Sequence, residues 1–158
     1  MEAQVSKWVN GPDYDFAVAG VIFATPDGNL ILHHRDGNTQ KSPNLLSFFG
    51  GRLEPEDETP ADGAAREASE ETNRVVTPAD IEPFTEYTWD FSEGEVEKIY
   101  LFLLRDQTTD GLEVYEGQGY QLVTSPDDPL IAPVAQAVVT KWFSLTSAER
   151  ASTLKTDD

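Results

Sequence analysis

The chain has 158 residues, a length that suits one globular domain with its own core. Twenty-nine acids against eleven bases give a formal net charge of −18, and such a surface repels nucleic acid and anionic membranes. With zero cysteines the chain can build no disulfide, thiolate zinc site or thiol nucleophile.

No apolar run approaches the ~20 residues needed to span a bilayer. The first residues, MEAQVSKWVNGPDYDF, lack a basic-then-apolar signal pattern, so a cytoplasmic protein is expected. The acidity has two open readings. One is a plain soluble surface. The other is adaptation to high salt, where dense carboxylates with only five lysines stay hydrated.

Residues 1–13 read as an irregular lead-in. Residues 16–23 (FAVAGVIF) form a β-rich apolar run, residues 25–29 (TPDGN) a turn, and residues 30–34 (LILHH) a second strand. Together they predict a hairpin. Residues 35–44 are polar and turn-rich, hence a loop. Residues 45–49 are a short apolar stretch that feeds Gly50 and Gly51.

A helix is expected next. Thr59 is a good N-cap, Pro60 suits the first helical position, and Asp62 sits where a capping-box acid belongs. Ala61, Ala64, Ala65, Ala68 and Thr72 share one face, and so small a face implies close packing. Asn73 can end the helix in a left-handed conformation. Residues 84–91 and 97–104 read as paired strands, residues 120–124 as another strand, and residues 125–129 (SPDDP) as a turn. Residues 132–143 read as an amphipathic helix with Val134, Ala137, Val138, Lys141 and Trp142 on its docked face. A polar tail follows over 147–158, leaving a core of about 14–146 in one domain spanning 1–158. The order of strands, helix, strands and helix predicts an α/β sandwich with a mixed central sheet.

The chemistry concentrates between Glu54 and Glu71, which hold eight acids against one base, Arg66. Glu67, Glu70 and Glu71 lie three and four residues apart, so their side chains converge on a helix. Like charges at that spacing destabilise a helix unless a cation neutralises them. Ligands that offer only oxygen favour Mg²⁺ or Mn²⁺ over zinc. Gly50 and Gly51 let the backbone come close. Arg66 can pair with Glu70 at i,i+4.

This segment, residues 51–73, resembles the Nudix box of the Nudix hydrolase superfamily. The family pattern is Gly, five residues, Glu, seven residues, then Arg-Glu-apolar-x-Glu-Glu-x-Gly-apolar. Glu58, Arg66, Glu67, Ala68, Ser69, Glu70 and Glu71 match it. Three positions depart: six residues separate Gly51 from Glu58, Asn73 replaces the last glycine, and Arg74 replaces the apolar residue after it. A shorter match at Glu116-Gly117-Gln118 resembles a loop of mutator-type Nudix pyrophosphatases, where a glutamate binds metal or acts as base.

The resemblance implies a Nudix-type α/β/α sandwich and a Mg²⁺-dependent hydrolase, with Mn²⁺ able to substitute. The substrate would be a nucleoside diphosphate linked to X, cleaved by a water molecule that the metal activates. Glu67, Glu70, Glu71, Gly51 and Glu116 would hold the metal. A box glutamate or Glu116 would accept the proton, and Arg66, with Glu58 and Glu54, would orient the carboxylates. Arg35, His34, Phe49 and Trp89 are the candidate substrate contacts. Glu97 is a lesser candidate for the site.

Mutator-type relatives carry an asparagine before the last helix, and residues 129–133 (PLIAP) hold none. A dNTP, ADP-ribose and a nucleotide sugar all stay open. The expected partner is a small-molecule nucleotide, with no nucleic acid and no membrane, in a monomer or homodimer. A non-catalytic Nudix domain that senses a nucleotide is the alternative. The Nudix-like isoprenoid isomerases use a cysteine, which this chain lacks.

Overall fold

The computed structural model describes residues 9–11, 13–38, 42–92 and 94–151. The strands are β1 (Val9–Gly11), β2 (Tyr14–Ala24), β3 (Leu30–His34), β4 (Leu46–Ser47), β5 (Phe49–Arg52), β6 (Glu82–Ser92), β7 (Glu95–Leu104) and β8 (Tyr120–Val123). The helices are α1 (Pro60–Glu71), α2 (Pro133–Ser144) and the short α3 (Ser147–Ala151). Of the tail expected from residue 147, the first five residues are therefore helical, and residues 152–158 lie outside the described set. Most of the expected lead-in lies outside it too. Among the described residues, no helix is long and apolar enough to cross a membrane.

β2 organises the sheet. One edge runs parallel to β7, from Phe16 opposite Glu97 to Phe23 opposite Leu104. Its other edge is shared. Val18 to Val21 pair antiparallel with β5, and Phe23 and Ala24 pair with β3. The sheet is mixed, with β4, β3, β2, β7 and β6 in spatial order and β8 against β3.

Alternation along β2 feeds two cores, as a strand buried on both faces must. Ala17, Ala19, Val21 and Phe23 face α1 and meet Ala64, Ala65 and Ala68. Phe16, Val18 and Ile22 face α2 and meet Ala135, Val138, Val139 and Trp142. The docked face of α2 is therefore Ala135, Val138, Val139 and Trp142, not the face through Ala137 and Lys141, which are exposed. Trp142 is fully buried, and its indole N–H donates to the carbonyl of Gly28 at 2.9 Å.

The start of α1 forms as the local sequence dictates. Thr59 accepts from the Asp62 N–H, and the Asp62 carboxylate accepts from the Thr59 N–H. The end differs. Thr72 is the C-cap, in extended conformation at φ −134°, and Asn73 does not turn left-handed. Asn73 instead bonds the 111–113 loop through Gly111 and Glu113, because those backbone groups need partners and its amide supplies both kinds.

Gly50 on β5 lets that strand close tightly on β2. A Cβ on Gly50 would stand 2.6 Å from the Cα of Gly20, and closer still to the carbonyl oxygen of Ala19. Both obstacles are backbone and cannot rotate away. Gly50→Ala is therefore expected to cost about 1–3 kcal/mol, read as a lower urea midpoint. An unchanged midpoint would contradict this packing.

Candidate active site

α1 presents Glu67 and Glu71 one turn apart to the backbone of β5. A Cβ on Gly51 would lie 2.5 Å from the Glu67 carboxylate, so only glycine leaves that carboxylate its place. The N–H of Gly50 donates to Glu71 Oε1 at 3.1 Å. These groups line a cavity of about 790 Å³ together with His33, Arg35, Asp36, Tyr115, Glu116 and Gly117. β3 and the loop after it supply the first three of these, and the loop before β8 supplies the last three.

Arg66 fixes the acids around it. Its guanidinium grips Asp57 with two parallel bonds, Nε to Oδ1 at 3.1 Å and Nη2 to Oδ2 at 2.9 Å. Its Nη1 reaches Glu67 at 3.1 Å and Glu70 at 3.4 Å, with Glu54 at 3.7 Å. The Asp57 hydrogen bonds, foremost, raise the Arg66 pKa further above its usual value. The buried residue that grips Arg66 is Asp57, 5% exposed, beside the exposed Glu58. Five residues separate Gly51 from Asp57, as in the family pattern's first acid, so the extra residue falls between Asp57 and Arg66. That acid was hidden in the sequence by its neighbour and by the shorter side chain.

Of the expected site residues, Gly51, Glu67, Glu71, Glu116 and Arg35 come together on the cavity. Glu70 stands beside them, 60% exposed and paired with Arg66. His34 lies off the cavity lining and bonds the carbonyl of Asn44 at 3.1 Å. Phe49 is fully buried between Phe23 and His33, so it is a core residue and not a substrate contact. Trp89 packs on the α2 side of the sheet, away from this cavity. Glu97 is buried on that same side, level with Phe16. Tyr115 lines the cavity unexpectedly, and so does His33, which the sequence offered only as one of three residues at the strand end, with His34 and Arg35, that could meet a phosphate or base. Alternation offered a signal for His33, which shares a face with Ile31 against α1.

The electrostatics are unbalanced. Glu71 is 8% exposed, and burial, then the charges of Glu67 and Glu116, push its pKa up to about 8. Burial also raises Glu67, against the pull of Arg66. Both acids sit toward the C-terminal, electronegative end of α1, whose last turn carries no basic residue. Among the described residues, no three acidic or histidine side chains close a metal cage by themselves. Magnesium and manganese need none, because a site of one or two carboxylates completed by water and phosphate oxygens suffices. A half-buried pair of carboxylates with excess negative charge fits a hard divalent cation.

A prediction follows from Glu71. In the metal-free protein its folded pKa, about 8, lies above the ordinary 4.5. The folded state thus holds its proton more tightly, and stability is full below pH 4.5. It falls as pH rises toward 8, by at most about 1.4 kcal/mol per pH unit. Urea unfolding in chelator should show that slope. Glu71→Gln should flatten it, and saturating Mn²⁺ should restore stability at the alkaline end.

Known proteins share this fold and, over most of the chain, its family pattern. A model of the NUDIX domain family matches residues 14–157. No curated protein matches the chain in sequence. A bifunctional NMN adenylyltransferase/ADP ribose pyrophosphatase from Francisella tularensis, solved with AMP and manganese, superposes with a TM-score of 0.62 at 18% identity. That match covers 85% of this chain and 43% of the bifunctional enzyme, so the chain spans less than half of that protein's length. The NUDIX domain of Shewanella oneidensis NrtR, solved with ADP ribose, gives 0.64 at 13% identity, covering 81% of this chain and 86% of that one. The MutT protein of Methanosarcina mazei gives 0.62 at 16% identity, covering 81% and 92%. At these identities the likeness is one of fold, but the family match takes in nearly the whole sequence. The chain belongs to the Nudix hydrolase superfamily.

Proposed function

We propose that this chain is a Mg²⁺- or Mn²⁺-dependent pyrophosphohydrolase acting on a nucleoside diphosphate linked to X. One observation carries the reading: Glu67 and Glu71 converge with the Gly50–Gly51 backbone on a cavity that also holds Arg35. An all-acid cavity would repel a diphosphate. A cation held by Glu67 and Glu71 would supply Lewis-acid charge against the phosphates and lower the pKa of water.

The chain's own residues do the rest. The Asp57–Arg66 fork keeps the Glu67 carboxylate in one rotamer beside Gly51. Glu70, at the rim, completes the same charge network. Arg35 faces the phosphate chain from β3's end. Water attacks one phosphorus, a new P–O bond forms, and the anhydride P–O bond breaks with its electron pair on the leaving phosphate. Glu116 accepts the water's proton or adds its charge to the cation site. Tyr115, 61% exposed at the rim, offers a ring face to the nucleoside or to X. The co-crystallised AMP and ADP ribose of the structural neighbours support a nucleotide ligand.

The test is a hydrolysis panel with Mg²⁺ or Mn²⁺ over dNTPs, ADP-ribose, nucleotide sugars and dinucleoside polyphosphates. One substrate class should turn over, with kcat lowered at least about 100-fold in Glu71→Gln and Glu67→Gln, and about 10-fold in Asp57→Asn. Absence of turnover with metal-dependent nucleotide binding retained would overturn the enzyme reading and support a sensor domain.

A further inference from the structure

We propose that His33 is a positioning residue that sets Glu116 against the acids of α1, acting through the Glu116 peptide carbonyl. The inference rests on Glu116 belonging to the site proposed above. Glu116 is exposed, and its carboxylate takes no hydrogen bond from the described residues. Its place on the cavity is therefore set by its backbone.

That backbone is held at three points. At one end the Tyr115 N–H donates to the carbonyl of Glu71, joining the loop to the last turn of α1. At the other, the Gln118 N–H donates to the carbonyl of His34, and the His34 N–H donates to that of Gly119. The Gln118 side chain adds bonds to Arg35 O and Asn44 Oδ1. Between these ends, His33 Nε2 donates to the Glu116 carbonyl at 3.1 Å. A carbonyl can only accept, so this nitrogen carries the hydrogen.

His33 is itself held firmly enough to serve. It is 6% exposed and stacks on Phe49, ring centroids 5.2 Å apart and planes 16° apart. The loop is shaped to receive it. Gly117 has φ +70°, and a Cβ there would stand 2.6 Å from His34 O and 2.8 Å from His33 Nε2. No other residue type lets the loop come down onto the imidazole. A rigid ring under the Glu116 peptide thus fixes the direction in which that side chain leaves the loop.

The experiment is a double-mutant cycle read by Mn²⁺ binding to the metal-free protein in calorimetry, with melting temperature followed alongside. His33→Phe keeps the ring stack and removes the donor. It should weaken Mn²⁺ about 10-fold, and His33→Gln, which keeps an N–H donor, should recover most of that loss. In a Glu116→Gln background His33→Phe should add nothing. Equal weakening in both backgrounds, or an unchanged affinity in His33→Phe where Glu116→Gln weakens binding, would overturn the positioning role. If Glu116→Gln itself leaves Mn²⁺ binding unchanged, Glu116 is no part of the cation site, and the inference fails. Should His33→Phe not fold, His33→Leu makes the same comparison.

Discussion

A carboxylate that folding drives out of water, next to others of its own sign, is the constraint on which this molecule turns. Glu71 is buried at the end of α1 beside the charges of Glu67 and Glu116, with the Gly50 N–H and the charge of Arg35 offsetting part of the cost. Burying a lone charge costs several kcal/mol in real proteins. The metal-free fold lessens that cost by keeping a proton on Glu71 near neutrality. A divalent cation would remove the need for the proton and would make an acidic cavity attractive to a diphosphate. The −18 surface and a polyanionic substrate are then compatible, since only the local field at the cation has to be positive.

The remaining architecture serves this placement. Alanines on α1 let the helix lie close on the sheet, and Gly51 on β5 leaves room for the Glu67 carboxylate, while Glu71 ends against the Gly50 N–H. Arg66 fixes Glu67 because Asp57 first fixes Arg66, and the bidentate fork leaves Nη1 free to reach Glu67 and Glu70 together. The opposite wall comes from His33 near the end of β3 and from Arg35 and Asp36 in the loop after it. Strand alternation separates His33, on the α1 side, from its neighbour His34.

Features that depend on near neighbours in sequence were legible. The Thr59–Asp62 capping box, the strand Leu30–His34 after its TPDGN turn, and the box helix itself arise within a few residues, where composition and spacing suffice. What depended on distant partners was not. Asp57 gains its role because the 54–58 segment folds back over α1, and Glu58 looked the better acid only in linear spacing. Asn73 has a side-chain partner forty residues away, at Glu113, which outweighs its freedom to turn left-handed. Phe49 and Trp89 have the chemistry for stacking a base, but period-two alternation does not say which face a cavity opens on. His33 looked interchangeable with His34 until the register of β3 separated them.

Under the proposed function, the proton on Glu71 and a divalent cation compete for one carboxylate site. Calorimetric titration with Mn²⁺ in two buffers of different ionisation enthalpy, near pH 7, counts the protons expelled on binding. A release approaching one proton is expected, shrinking as the pH is raised past about 8 and absent in Glu71→Gln. Binding without proton release, or no Mn²⁺ binding at all, would contradict it.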